Sequence, residues 1–301
     1  MNKTIIIFST ILAAMPAALM AQAGAQFLRI DTDARLSGMA SAGAASVYGI
    51  SALNYNPAGL SAMTGPEAAF SHSKWLMDAS HDFAGFGFKA GGAKSGKVAL
   101  GVGVTRLSNT SFDGRGEDRS ALGGYGAYDQ VVSLGLAVKN VGCTVKYIQG
   151  SIAGVRAETF AVDLGAKRTL TRLPVTLGLG VQNLGRGMKY LSQRDQLPLS
   201  VNAGVSFMAM PGMGLTFDAK RLVYDKETIL SFGTEYAMMT QAGAGFALRG
   251  GYGLAGMASN DGKSGLSVGA GLMALGAQLD YAVSPETGLG SVQRITLKKR
   301  F

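Results

Sequence analysis

From about residue 96 onward, bulky apolar side chains alternate with small or polar ones in run after run. Val98, Leu100, Val102 and Val104 alternate with Ala99, Gly101, Gly103 and Thr105. Val132, Leu134, Leu136 and Val138 alternate with Ser133, Gly135, Ala137 and Lys139. The pattern returns through Val141–Tyr147, Phe160–Leu164, Val175–Val181, Leu199–Phe207, Leu215–Ala219, Leu230–Tyr236, Leu248–Tyr252, Leu266–Leu272, Leu279–Val283 and Ile295–Leu297. Successive side chains of a strand point to opposite faces, so a period of two is the strand signal, and no helical stretch separates these runs. Weaker runs near Glu67–Leu76 and Asp82–Lys89 bring the tally to about 14 strands, the even number that a closed bacterial single-chain barrel requires.

The chemistry of the two faces says which way they point. One face of each run is bulky and apolar; the other is Gly, Ser, Thr or an occasional charge. A soluble sandwich would carry mostly Lys and Glu on its wet face. Mean hydropathy is +0.20, yet no apolar run long enough for a spanning helix follows the N-terminal segment. The reading is apolar-out and polar-in: an all-β, transmembrane, antiparallel β-barrel over residues 65–301.

Both ends agree. Lys3, the apolar stretch Ile5–Met20 and the small-residue sites Ala21-Gln22-Ala23 and Ala23-Gly24-Ala25 read as a secretory signal peptide over residues 1–25, cut after Ala23 or Ala25. An uncleaved anchor is the alternative. Cys143 is the only cysteine and lies far from that site, which excludes a lipoprotein and an internal disulfide. The tail Gln293–Phe301 alternates to the final aromatic. Such a strand closes a barrel on its first strand, and Phe301 is the expected signal to the barrel-assembly machinery. The location expected is the bacterial outer membrane. A net charge of +9 would suggest nucleic acid in a cytosolic chain. With an export signal the expected partners are outer-membrane lipid and lipopolysaccharide phosphates.

Connections alternate in length, as barrels with short periplasmic turns require. Ser108–Ala127, Gln149–Arg156, Leu184–Leu197 and Gly253–Lys263 read as long outer loops. Gly91–Ser95, Lys139–Val141 and Met210–Gly212 read as short turns, and both termini are expected on the short-turn side.

Catalytic and cofactor chemistry finds little purchase. His72 and His81, with Asp78 and Asp82 nearby, are the only material for an acid–base dyad and read as ordinary rim residues. Gly101-Val102-Gly103 and Gly269-Ala270-Gly271 lack the helix a nucleotide loop needs. No spacing suits a metal, and no cofactor or enzyme activity is expected. Trp75, Phe83, Phe86, Phe88, Tyr190, Tyr224, Tyr252 and Tyr281 are candidates for interfacial girdles, and Phe86 with Phe88 alternatively for an apolar substrate groove. Lys146, Asp163, Asp218, Lys220, Glu235, Arg249 and Asp280 fall on the small-residue faces. Lone buried charges are costly, so these are expected to pair, either in a network that holds a plug or along a polar translocation path.

Residues 27–60 carry the most specific pattern. Phe27-Leu28-Arg29-Ile30 leads through Asp33-Ala34-Arg35 and Gly38-Met39-Ala40-Ser41-Ala42-Gly43 to Asn54-Tyr55-Asn56-Pro57-Ala58-Gly59-Leu60. Asp163-Leu164-Gly165, Asn183-Leu184-Gly185 and Leu197-Pro198 follow in order. The chain thereby resembles the PorV/PorQ-type outer-membrane proteins of the FadL-like barrel superfamily. It departs from them at Val47-Tyr48-Gly49-Ile50-Ser51, which has no acidic residue, and in its small outer loops. The resemblance implies a hatch over residues 26–64 inside the lumen, with Asn56, Pro57 and Ala58 as its signature. Residues 36–62 are small and uncharged, and Pro57 would break any ladder it entered. The hatch charges Arg29, Asp33 and Arg35 are then candidates to meet the wall, Arg29 and Arg35 through Asp163 or Asp280. The implied function is a component of type IX protein secretion that engages exported proteins and secretion-system components. The alternative is a FadL-like transporter of hydrophobic small molecules.

Overall fold

The computed structural model describes residues 24–301 except 76–77, 92–97, 110–111, 116–120, 242, 256–264 and 287–289. Nearly all of the signal segment read at residues 1–25 lies outside the described residues. Fourteen strands form one closed antiparallel ring: β1 (Glu67–Lys74), β2 (Ser80–Ala90), β3 (Val98–Ser108), β4 (Ala127–Val138), β5 (Val141–Ile152), β6 (Val155–Thr169), β7 (Val175–Gly185), β8 (Ser200–Met210), β9 (Met213–Leu222), β10 (Glu227–Met239), β11 (Gly245–Ala255), β12 (Gly265–Ala274), β13 (Ala277–Glu286) and β14 (Gly290–Arg300). Each pairs with the next, and β14 closes on β1 with Phe70 opposite Leu297. Closure leaves no open edge, which lipid could not satisfy.

The faces follow the alternation. Leu134 is 60% exposed on the outside, while its neighbour Ser133 is 2% exposed inside. The outward apolar band ends in one aligned polar row across six strands: His72, Asp82, Arg106, Gln130, Gln149 and Glu158. His72 Nδ1 and Asp82 Oδ1 are 2.6 Å apart in that row. His81, read from sequence as a rim residue, instead points inward and is buried, because it lies one residue from Asp82 in the same strand.

Length asymmetry between the two rims is present, with one correction. Connections 109–126 and 186–199 at one rim are long, and each folds a small hairpin (Phe112–Arg115 with Ala121–Tyr125, and Met188–Tyr190 with Gln193–Asp195). The expected loop at Gln149–Arg156 is a two-residue turn, Ala153-Gly154, both with positive φ (50° and 84°), which suits the twist of a tight hairpin. The opposite rim has turns such as 139–140, 211–212 and 275–276.

Residues 26–63 run inside the ring. Gly24 N donates to Gln196 O, and Phe27 packs with Val131, Ile148, Met188 and Leu197 beneath the loop rim. The short helix Ala34–Ser37 lies against β12, β13 and β14. Two 3-10 turns, Ile50–Asn54 and Pro57–Ala62, fill the other half, where Ile50, Leu53, Leu60 and Met63 pack on Phe83, Ala99 and Ala137. The chain therefore descends from the loop rim to the short-turn rim before entering β1. The expectation that both ends sit at the short-turn side is right for Phe301, whose N–H donates to Pro66 O. It fails for residues 24–30, which the burial of Phe27 holds at the loop side.

The two faces predict opposite tolerances. Leu134→Arg, near the middle of β4, should cost about 2–4 kcal/mol. Ser231→Arg, which enters the lumenal cavity directly across from the carboxylate of Asp218, should cost clearly less. Urea unfolding in micelles measures both, and equal costs would contradict the register.

Candidate binding cavity above the hatch

The hatch is held first through its backbone. Asn56 is fully buried, and its amide donates to Ala44 O (2.7 Å), Ala166 O (3.2 Å) and Leu179 O (3.2 Å). Its Oδ1 accepts from Ala58 N at 3.2 Å and caps the Pro57–Ala62 turn. One side chain thus joins two hatch segments to the carbonyls of β6 and β7. Pro57 and Ala58 lie against Gly142, where any Cβ would strike their backbone; Gly178 meets Ala44 in the same way, and Gly251 meets Met39 and Ala40. Glycine lets the hatch lie directly on the wall.

Charges hold it next. Asp33 Oδ2 meets Lys298 Nζ at 2.5 Å, and Arg35 donates twice to Glu235 at 2.8 Å. Arg249 bridges Glu235 (2.6 Å) and Asp280 (2.8 Å), extending this network along the wall. Tyr48 stacks under the Arg35 guanidinium, 4.5 Å from its ring centroid. Burial raises the Asp33 carboxyl, but the charge and hydrogen bond of Lys298, with Ser51 and the charge of Arg35, together outweigh it and hold the group at about 2. The pairing expected of Arg29 and Arg35 with Asp163 or Asp280 does not occur. Arg29 meets Asp225 at 2.8 Å, and Arg35 meets Glu235. Asp163 pairs with Lys146 at 2.6 Å in the wall itself. Its Oδ1 accepts from Asn183 N, where β7 carries one extra residue and Asn183 takes φ 60°.

Two sequence candidates stand apart from the network. Asp218 has no ion pair among the described residues and accepts from Ala44 N at 2.6 Å. Lys220 makes no ion pair or hydrogen bond among the described residues; Asp31 and Asp163 act on it only at longer range. Arg294 and Lys298 were not among the lumen candidates, although their spacing from Ile295 and Leu297 places them on the inward face. Arg294 donates to Ser37 Oγ (2.7 Å) and Ser73 Oγ (3.5 Å), but its Nε has no partner.

Above the hatch, toward the loop rim, the lumen keeps a cavity of about 360 Å³. Its floor is hatch: Ser37, Ala40, Ser41, Asn54 and Tyr55, with Tyr55 OH and Ser41 Oγ both donating to Asp31. Phe27, Leu28, Ile30, Leu107, Leu222 and Ile229 give it apolar sides, while Lys220 and Arg294 also line it. Trp75 lines it too, although it was a girdle candidate. Phe83 likewise faces the lumen, 1% exposed in the hatch core, and Tyr190 packs over the inner face at Gly150. Phe86 and Phe88 point outward, 43% and 40% exposed, so they line no lumenal groove. Tyr252 and Tyr281 are outward as expected, and Tyr224 sits in the turn between β9 and β10. Among the described residues, no three His, Cys, Asp or Glu gather as a metal site.

No protein-family model matches the chain, and no curated protein matches it. Solved structures do. The toluene transporter TodX of Pseudomonas putida is 14% identical with a TM-score of 0.65, over 90% of this chain and 99% of that one. The toluene transporter TbuX of Ralstonia pickettii is 16% identical with a TM-score of 0.58, over 90% and 99%. A FadL homologue of Pseudomonas aeruginosa is 11% identical with a TM-score of 0.53, over 89% and 97%. The chain shares the fold of FadL-type outer-membrane barrels.

Two measurements probe the seat of the hatch. Asn56→Asp replaces a double donor with a carboxylate facing three carbonyls, and should raise ion conductance in planar bilayers while the barrel still inserts. The Asp33–Lys298 pair adds a pH dependence. The Asp33 carboxyl lies below its ordinary value of 3.8, so its contribution is full above that value and lost as pH falls toward about 2. Conductance of the intact protein should stay low from neutral pH to about pH 5 and rise below about 4.

Proposed function

We propose that the protein is a FadL-like outer-membrane channel for the uptake of small hydrophobic molecules, and that the cavity above the hatch is where the molecule is first held. The observation that carries this is the lining. Apolar side chains form one part of the wall and polar ones the rest; Lys220 and Arg294 line it with Asp31 and Asp218, yet neither cation forms an ion pair among the described residues. A buried unpaired cation is costly and calls for an anionic or strongly polar partner. The fitting occupant is a small amphiphile, with its apolar body against Phe27, Leu222 and Ile229 and its polar end toward Lys220. The similar structures of toluene transporters support the hydrophobic half of this reading. The secretion role that the N-terminal resemblance implies draws no support from them.

The wall gives this proposal its direction of travel. Every two neighbouring strands pair over part of their length; β6 meets β7 over Ala161–Thr169, with a bulge opposite Asp163 held by Lys146 and Asn183, and that pairing stops short of Val155–Phe160. The hatch fills the short-turn half of the lumen, so passage along the lumen goes by way of the hatch. At the cavity floor Ala40 and Ser41 both hold positive φ (52° and 64°), strain of about 1–3 kcal/mol each for residues with a Cβ.

Trp75 is the single tryptophan of the chain and lies in the cavity lining, so its emission reports occupancy. Toluene and benzoate should both change it, benzoate at the lower concentration. Lys220→Met should reverse that order and keep the response to toluene. Silence toward both ligands, with binding of an extended peptide instead, would favour the secretion role.

A further inference from the structure

Cations stand at both rims of the barrel, but among the described residues a net positive charge is gathered at one of them. At the short-turn rim Lys139, Arg168, Arg172 and Arg300 are exposed and Lys299 is half-buried. Among the described residues this rim has no exposed Asp or Glu; its Glu67 is 5% exposed and turned inward, accepting from Ile50 N. The loop rim, by contrast, mixes signs, with Asp82 beside Arg106 and Arg221 near Asp225. The cations also keep to one half of the ring, from β14 through β1 to the β6–β7 turn. The other half of the same rim carries Met208, Met210, Met238 and Met239, all exposed, and no charge among the described residues.

We propose that this basic arc is a binding surface for the headgroups of anionic phospholipid in the membrane leaflet on the short-turn side. The direction of two side chains decides for lipid over a soluble acidic protein. Arg168 continues the outward face of β6 beyond Leu164, and Lys299 continues that of β14 beyond Leu297. Both therefore stand on the lipid-facing wall, just past the apolar band, at headgroup depth. A protein docking from below would meet the turn tips, Lys139 and Arg172, and leave these two unused. Headgroups reach all of them. Lipopolysaccharide, the partner expected from net charge alone, belongs with the opposite rim if the long loops face outward.

The inference rests on the barrel spanning a membrane but not on what the cavity holds. The test is retention of lipid by the full chain, purified in micelles and offered phosphatidylglycerol, phosphatidylcholine or lipid A, read by native mass spectrometry. The protein should retain phosphatidylglycerol over phosphatidylcholine and over lipid A. The triple variant Lys139→Gln, Arg168→Gln, Arg172→Gln should lose that preference by about fivefold per cation removed. In the unaltered protein, added salt should erode the same preference, which keeps the test decisive should the variant fail to fold. Equal retention of all three lipids, a preference for lipid A, or a preference indifferent to salt would overturn the proposal. Failure of the protein to insert into vesicles of any composition would instead overturn the membrane reading beneath it.

Discussion

A strand inside a bilayer has no water to bond its backbone, so every N–H and C=O must be met by a neighbouring strand. The ladder from β1 round to β14 meets that demand by closing on itself. Closure settles the outside and creates a problem inside. A ring of this size has a lumen too wide for its own small inward side chains to fill. The hatch fills the short-turn half of that space, and what it leaves empty is the cavity.

Seating a hatch against a sheet is a question of distance. A strand with side chains on both faces keeps other backbones away. Here glycines at the contact points remove the obstacle, so Pro57, Ala44 and Ala40 lie on the wall itself. Wall glycines such as Gly142, Gly178 and Gly251, costly in a strand by entropy, thus serve contact between hatch and wall. The polar contacts then act over short, fixed geometry. Asn56 reaches two strands at once, and Arg35 can bind Glu235 through both ends of its fork.

The barrel was legible in the sequence because its evidence is local: a period of two needs only neighbouring residues. Leu134 and Ser133 fall on the sides that the alternation assigns. The cavity was legible only in part. The inward charges were found by parity, but their partners are set by register across strands far apart in the chain, which parity does not encode. Hence Arg29 was matched to the wrong carboxylates, and Asp225 and Glu235 took the hatch arginines. Trp75 and Phe83 were read as girdle residues because aromatic type says nothing about face. Phe83 was within reach, since Phe86 and Phe88 lie on the other face of the same strand.

Asp33 and Lys298 stand 265 residues apart in the chain and meet in the lumen. The lysine belongs to the last strand, and the aspartate to the segment that precedes the first. Neither has its partner until the ring is complete. A wall that closed in the wrong register would displace Lys298, strand a carboxylate in a dry interior and leave Ala34 N without Thr296 Oγ1. The hatch thus works as an assembly gauge: its seat fits only a correctly finished barrel, and a miscounted strand is penalised at the moment the two ends of the chain come together.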